Sequence, residues 1–179
     1  MPSEPGDAAA AATIPADDPR RRLTIVNPDD SAARHIAQAG GIYTILVSGD
    51  QTAGRYCLID MKVPDGGGPP PHRHDFEEMF SLLDGELEFT FRGESMRVAA
   101  PATINIPANA PHSFRNTSGR PVHMLCMCTP AGQDEYFVAV ADPVATRNWP
   151  PPVLTDDEKA SRRAKALALA ARYRTEFLG

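Results

Sequence analysis

The sequence lacks the features that mark a membrane-spanning, exported or disulfide-bonded chain. None of its apolar runs approaches the roughly 20 consecutive residues that a bilayer span needs. Its N-terminus has neither a basic start nor the apolar segment of a signal peptide. It has only three cysteines, Cys57, Cys126 and Cys128, without C-x-x-C spacing. These absences predict a cytoplasmic protein with reduced thiols and no membrane association.

Basic residues are also too few for a nucleic-acid-binding surface. The chain of 179 residues has a formal net charge of −5, and residues 23–152 hold nine Lys or Arg against 15 Asp or Glu. An acidic centre without a basic stripe argues against nucleic acid and against an anionic membrane surface as partners. We therefore expect no nucleic acid and no membrane among its partners.

Composition divides the chain into four parts. Residues 1–22 are rich in Ala and Pro and end in three arginines, which predicts a mobile N-terminal arm; the alternative is a docking patch at the arginines. Residues 23–142 form the predicted domain, and residues 143–154 a proline-rich connector. Residues 155–179 are predicted to form a C-terminal helix.

The domain has the pattern of an all-β protein. Short apolar runs alternate with Gly, Pro, Asn and Asp at a spacing of about ten residues, which is typical of an antiparallel sandwich or barrel. Residues 86–92 are the clearest strand, and Asp84-Gly85 before them predicts a hairpin turn. No helical periodicity appears before residue 153. A β-sandwich without a functional site remains an alternative on this pattern alone.

The C-terminal segment carries helix signals. Thr155 to Glu158 has the sequence of a capping box, and Tyr173 and Phe177 would pair at i, i+4. We expect this helix to pack on the barrel or across a dimer. A free amphipathic helix that binds a partner is the alternative.

Three of the five histidines fall in two short segments, and they are the main chemical signal. His72, His74 and Glu78 share strand parity, so they could converge from one strand surface and the hairpin after it. His112 would come from elsewhere in the sheet. Three imidazoles and one carboxylate suit one divalent transition metal ion, whether Fe, Mn, Ni, Co, Cu or Zn, whereas Ca or Mg would need more oxygen ligands.

These two segments resemble the two histidine motifs of the cupin superfamily, whose members are small β-barrels. The first motif is matched at every position by Gly66, His72, His74, Glu78 and Gly85. The second is matched by Pro107, His112 and Asn116, while Pro101 and Asn109 stand where the family has glycine. Neither departure affects a metal-binding position, and Asn tolerates the left-handed conformation better than most residues.

The resemblance implies a fold, a cofactor and a function. The fold is a cupin-type antiparallel β-barrel (a double-stranded β-helix, or jelly roll) with a C-terminal helix, and the assembly is a homodimer. The metal ligands would be His72, His74, Glu78 and His112. The segments 47–55, 129–137 and 171–178 resemble small bacterial single-domain cupins that are grouped with quercetin dioxygenases.

That narrower resemblance implies a metal-dependent dioxygenase of a small aromatic or enol substrate, with Glu78 also serving as a general base. Two alternatives stay open. One is non-redox metal chemistry, such as isomerase, decarboxylase or lyase activity. The other is a non-catalytic cupin module that binds a small ligand.

A few other residues are candidates for secondary roles. Phe80, Leu82 and Phe114 follow the parity of the metal-binding positions and are candidates to line a pocket, or to form ordinary core. His123 is a candidate pocket residue or a peripheral histidine. His35 is expected on the surface. Cys126 and Cys128 share a strand face and are interpreted as small buried hydrophobic residues rather than as a metal or redox pair.

Overall fold

The computed structural model of the protein describes residues 13–150 and 152–179. Residues 1–12 of the predicted arm and Pro151 of the connector lie outside this range. In chain order the described strands are β1 (Arg34–Gln38), β2 (Gly41–Val47), β3 (Cys57–Val63), β4 (His72–His74), β5 (Glu77–Asp84), β6 (Glu86–Phe91), β7 (Glu94–Ala99), β8 (Ala102–Ile106), β9 (His112–Arg115), β10 (Val122–Thr129), β11 (Asp142–Val144) and β12 (Thr175–Phe177). The helices are α1 (Gln133–Val140) and α2 (Asp156–Ala170), with short 3₁₀ turns at Asp50–Thr52 and Ala171–Tyr173.

The described strands form two antiparallel sheets that bury their inner faces against each other. One sheet has the order β11-β1-β2-β3-β10-β5-β8, and the other has the order β12-β4-β9-β6-β7. In β6, Leu87 and Phe89 are buried while Glu88 between them is exposed, as alternation of side chains along a strand requires. The predicted all-β jelly roll with a C-terminal helix is confirmed.

The predicted hairpin at Asp84-Gly85 is wrong. Strand β5 pairs with β10 and β8, whereas β6 pairs with β7 and β9, so this turn carries the chain from one sheet to the other. Gly85 has a φ of +94°, and a Cβ there would lie 2.8 Å from Cγ2 of Val122. The turn signal was correct, but a local pattern does not say which strands pair.

Two predictions about helices also need correction. A helix, α1, precedes residue 153, where none was expected. Helix α2 begins with the predicted capping box at Thr155 but ends at Ala170, so Phe177 lies in β12 instead of on a helix with Tyr173. Neither described helix is long and apolar enough to cross a membrane.

Two motif positions that carry no metal-binding atom hold the loop before β4 against the end of β9. The backbone N–H of Gly66 donates to the carbonyl of Asn116 at 2.7 Å, and the N–H of Asn116 donates to the carbonyl of Gly67 at 2.8 Å. The Asn116 side chain, which is fully buried, donates to the carbonyls of Val63 at 3.0 Å and Arg120 at 2.7 Å. These bonds fix the two histidine segments relative to each other.

Asn116→Ala should therefore destabilise the fold. It removes the donors to the carbonyls of Val63 and Arg120 and leaves a cavity in the buried core, for a loss of about 2–4 kcal/mol in the free energy of unfolding. Asn105→Ala is the matched control, because the Asn105 side chain makes one exposed hydrogen bond to Glu77. Chemical denaturation should show a change within about 0.5 kcal/mol for that control. Equal losses for the two variants would contradict the assigned role of Asn116.

Candidate metal centre

Three imidazole rings converge between the two sheets. His72 and His74 lie on β4, and His112 lies on the adjacent β9, directly opposite His72. All three side chains are buried. Each ring places Nδ1 2.8–2.9 Å from a backbone carbonyl, that of Pro70 for His72, of Phe76 for His74 and of Ala110 for His112. A carbonyl can only accept a hydrogen bond, so Nδ1 carries the proton of each neutral ring. The lone pair of Nε2 is then free to bind a metal ion.

Glu78 reaches the same centre from the opposite sheet. Its Oε2 lies 3.1 Å from Nε2 of His74 and 3.2 Å from Nε2 of His112. The expectation that His72, His74 and Glu78 converge from one strand surface and the hairpin after it is wrong, because the chain crosses between the sheets after β4 and Glu78 lies on β5. The four donor groups nevertheless form one cluster in which all ligand atoms lie within 4.8 Å of one another.

The contacts at Glu78 Oε2 fit a cation at the centre. With the protons on Nδ1, two neutral rings would direct Nε2 lone pairs at an anionic oxygen. Either protons on the rings or a metal ion removes this repulsion. Three imidazole nitrogens and one carboxylate oxygen are the donors that a divalent transition metal ion prefers.

The electrostatics favour the forms that bind metal. Burial, reinforced by the neighbouring His112, lowers the pKa of His72 to about 4, so its ring is neutral at neutral pH. Burial alone would raise the pKa of Glu78, but the His112 and His74 rings, where they also carry a proton on Nε2, donate hydrogen bonds that outweigh burial and hold that pKa well below its usual range. A neutral imidazole and an ionised carboxylate are both ready to act as ligands.

Two thiols from β10 lie on the other side of the Glu78 carboxylate. Sγ of Cys126 is 3.3 Å and Sγ of Cys128 is 3.8 Å from Oε1, and the two sulfur atoms are 3.7 Å apart. Both residues are fully buried and share a strand face, as expected. A hydrogen bond with Cys128 lowers the pKa of Cys126, but burial and the Glu78 carboxylate together raise it to about 12. The sequence pattern identifies these cysteines as small buried hydrophobic residues but does not predict their contact with a candidate ligand, because parity along β10 does not show which residue of β5 they face.

A cavity of about 600 Å³ adjoins the centre, and the two candidate ligands that line it are His72 and Glu78. It lies beneath α1, α2 and the C-terminal residues. Its wall is mainly apolar and aromatic, and its polar residues besides His72 and Glu78 include Gln38, Gln133, Arg163 and Thr175. The aromatic side chains that line it are Tyr43, Phe80, Phe114, Tyr136, Phe137 and Phe177.

The candidate pocket residues separate into two groups. Phe80 and Phe114 line the cavity and pack edge to face, with ring centroids 5.3 Å apart. Leu82 is buried in the core but does not line the cavity. His123 lies on the opposite face of β10, where its Nε2 is 2.7 Å from Oδ2 of Asp60. His123 therefore does not contribute to this pocket.

His35 is buried, which contradicts its predicted place on the surface. It is only 2% exposed, and its ring nitrogens lie 2.9 Å from Oγ1 of Thr44 and 3.0 Å from the carbonyl of Asp30. Thr44 is its cross-strand partner on β2. The burial depends on that pairing and on the loop before β1, neither of which the polar local sequence reveals.

The C-terminal residues contribute to the site in a way that the sequence pattern did not predict. Strand β12 pairs with β4, so that Phe177 lies opposite His72 and Thr175 lies opposite His74. The backbone N–H of Leu178 donates to the carbonyl of Pro71 at 2.8 Å. Helix α2 is held near the cavity by the Tyr136 hydroxyl, which donates to the carbonyl of Ala166 at 3.1 Å.

Comparison with known proteins agrees with this arrangement. Residues 59–128, which contain all four candidate ligands, match the family model of the cupin domain. Quercetin 2,3-dioxygenase of Bacillus subtilis is 29% identical over 130 residues, which are 72% of this chain and 38% of that enzyme. The chain thus spans well under half the length of this relative.

Two solved structures share the fold at lower sequence identity. The polyketide cyclase RemF of Streptomyces resistomycificus aligns with a TM-score of 0.53 and 21% identity, over 79% of this chain and 94% of that one. A "predicted oxalate decarboxylase" of Thermotoga maritima aligns with a TM-score of 0.52 and 21% identity, over 60% and 99% of the two chains. These two structures share the fold of this chain, and the family-model match identifies residues 59–128, which carry both histidine motifs, as a cupin domain.

Proposed function

We propose that the protein is a metal-dependent dioxygenase of a small aromatic or enol substrate. One divalent transition metal ion would be held by Nε2 of His72, His74 and His112 and by Oε2 of Glu78. The observation that carries the proposal is the opening of this buried donor cluster onto a largely aromatic cavity of about 600 Å³. The likeness to a quercetin dioxygenase supports the same chemistry. When bound, the metal ion would supply a Lewis-acidic and redox-active centre for reaction with dioxygen.

The protein's own groups would bind and orient the substrate. A flat ring entering the cavity would pack against Phe80 and Phe114, whose side chains already form an aromatic pair. It would reach the centre beside His72 and Glu78, which are the donor residues that line the cavity. The cover of α1, α2 and β12 would limit the access of water to the reacting atoms.

Glu78 would also accept the proton that the substrate hydroxyl loses. Oε1 is already bonded by the Cys126 thiol, so Oε2 is the atom that would take the proton, which requires this oxygen to leave the metal ion. Its ionised state at neutral pH makes the group available as a base.

The partner in this proposal is a small molecule, and the assembly is a homodimer. Leu23, Ile25 and Trp149 are large apolar side chains that are exposed in this chain, and a second copy would offer them a surface to pack against.

The test is oxygen consumption by the metal-loaded protein. Samples reconstituted separately with Fe, Mn, Ni, Co, Cu and Zn should be analysed for bound metal and then given flavonols, diketones and catechols. We expect oxygen uptake coupled to loss of substrate with at least one redox-active metal and with none of the zinc samples. Turnover without oxygen uptake would replace the proposal with non-redox lyase, isomerase or decarboxylase chemistry. Saturable binding without turnover would replace it with a ligand-binding module.

A further inference from the structure

The two oxygens of the Glu78 carboxylate have different partners. Oε2 faces the imidazole rings of His74 and His112, at 3.1 and 3.2 Å. Oε1 faces away from them, toward Sγ of Cys126 at 3.3 Å. An ionised carboxylate can only accept a hydrogen bond, so the Cys126 thiol is the donor. Cys128 is more distant, at 3.8 Å.

The position of Cys126 in the fold makes this contact rigid. It lies on β10, between β3 and β5, directly opposite Ile59 on one side and Phe80 on the other. It is fully buried, and its neighbours on both strands are also buried. Close-packed surroundings of this kind leave the side chain little freedom to change rotamer. The thiol therefore presents its proton to Oε1 from a fixed point.

We propose that Cys126 is a positioning residue for the metal centre: its thiol fixes the rotation of the Glu78 carboxylate and so directs Oε2 at the imidazole cluster. This inference rests on the proposed metal site. Without the Cys126 thiol, Oε1 would keep only the longer contact with Cys128, at 3.8 Å, among the described side-chain hydrogen bonds, and the carboxylate could rotate about its last bond. Groups that hydrogen-bond a metal ligand set its orientation, and their removal costs about 10–100-fold in metal affinity.

The rival role for Cys126 is direct ligation of a soft metal ion by the thiol. The geometry favours the positioning role. The two thiols contact Oε1 of Glu78, whereas the imidazole rings of His74 and His112 contact Oε2. A metal ion at the imidazole centre would thus have the carboxylate between itself and the sulfur. The two roles differ in a spectroscopic signature, since only a bound thiolate gives sulfur-to-metal charge-transfer absorption.

The experiment is a cobalt(II) titration of the full chain, followed by visible absorption and by competition with a chelator. Cys126→Val removes the hydrogen-bond donor and nearly keeps the side-chain volume. Cys126→Ala removes the donor and also reduces the volume, whereas Cys126→Ser provides a hydroxyl donor in place of the thiol. Cys57→Val is the matched control, because Cys57 is also fully buried, lies opposite Cys128 on β3, and has no contact with Glu78 among the described side-chain hydrogen bonds.

We expect Cys126→Val and Cys126→Ala to bind cobalt about tenfold more weakly or worse, with an altered ligand-field spectrum. Cys126→Ser should recover most of the affinity, and Cys57→Val should match the parent. Parent-like binding by Cys126→Val, or an equal loss in Cys57→Val, would overturn the inference while leaving the metal site intact. A charge-transfer band that disappears in Cys126→Ser would overturn it in favour of ligation. A parent protein that binds no cobalt would overturn the metal site and this inference together.

Discussion

His72→Ala, His74→Ala and His112→Ala are each expected to lose the bound metal ion on dialysis against a chelator, while His123→Ala retains it. Each of the first three variants removes one of the four donor groups, and the small alanine side chain leaves water as the only replacement. The affinity should fall by more than the roughly 10–100-fold that loss of a ligand's hydrogen-bonding partner causes. Elemental analysis of the dialysed proteins measures the result.

His123→Ala is the appropriate control because its ring lies on the outer face of β10, about one-third exposed and paired with Asp60. Asp60 keeps Arg147 as a cationic partner, at 3.2 Å, so the variant should remain folded. His35 would be a poor control, since its ring is buried between Thr44 and the loop before β1. Retention of metal by any of the three cluster variants, or its loss from His123→Ala, would contradict the assigned site.

Circular dichroism should accompany the metal analysis. A cluster variant that loses metal while keeping the β-sheet spectrum has lost a ligand, whereas one that loses both has lost the fold. The distinction matters most for His74, whose ring stacks on Phe76 with centroids 3.9 Å apart and so contributes to packing as well.

The candidate site could be predicted from the sequence because its information is local. Period-two alternation places His72 and His74 on one face, and the spacing to Glu78 and His112 matches a known motif. The structure brings these four residues into one cluster. What alternation could not provide is that Glu78 approaches from the other sheet. The chain leaves one sheet and enters the other within two residues. Parity counted across that crossing therefore directs Glu78 to the histidines, although Glu78 lies on a different strand, in the other sheet.

The errors share one physical cause, which is dependence on contacts between distant segments. Helix α1 is short and its apolar residues do not follow a clear helical period, but Phe137 packs against Tyr43 of β2 with ring centroids 5.4 Å apart. Strand β12 has three residues and exists because β4 offers an edge to pair with. Neither helix α1 nor strand β12 could be predicted from its own residues, since tertiary packing decides the local conformation in such short segments.

Replacing Glu78 with Gln should separate metal binding from turnover. The amide is nearly the same shape and can still present an oxygen to the imidazole cluster, with its nitrogen toward the Cys126 sulfur. It has no negative charge, however, so the metal should be held more weakly than in the parent. It also cannot accept a proton at neutral pH, and oxygen uptake with the best substrate should fall by about 10²–10⁴-fold even at saturating metal.

Glu77→Gln is the matched control, because Glu77 precedes Glu78 on the same strand and its side chain points the other way. Its Oε1 accepts a hydrogen bond from the backbone N–H of Ala108 at 3.1 Å, and its Oε2 lies 3.2 Å from the Asn105 amide. A glutamine at that position should leave both metal content and turnover near the parent values. If Glu78→Gln, loaded with metal to the same occupancy as the parent, consumed oxygen at the parent rate, Glu78 would be a ligand alone. The substrate proton would then have to go to another group.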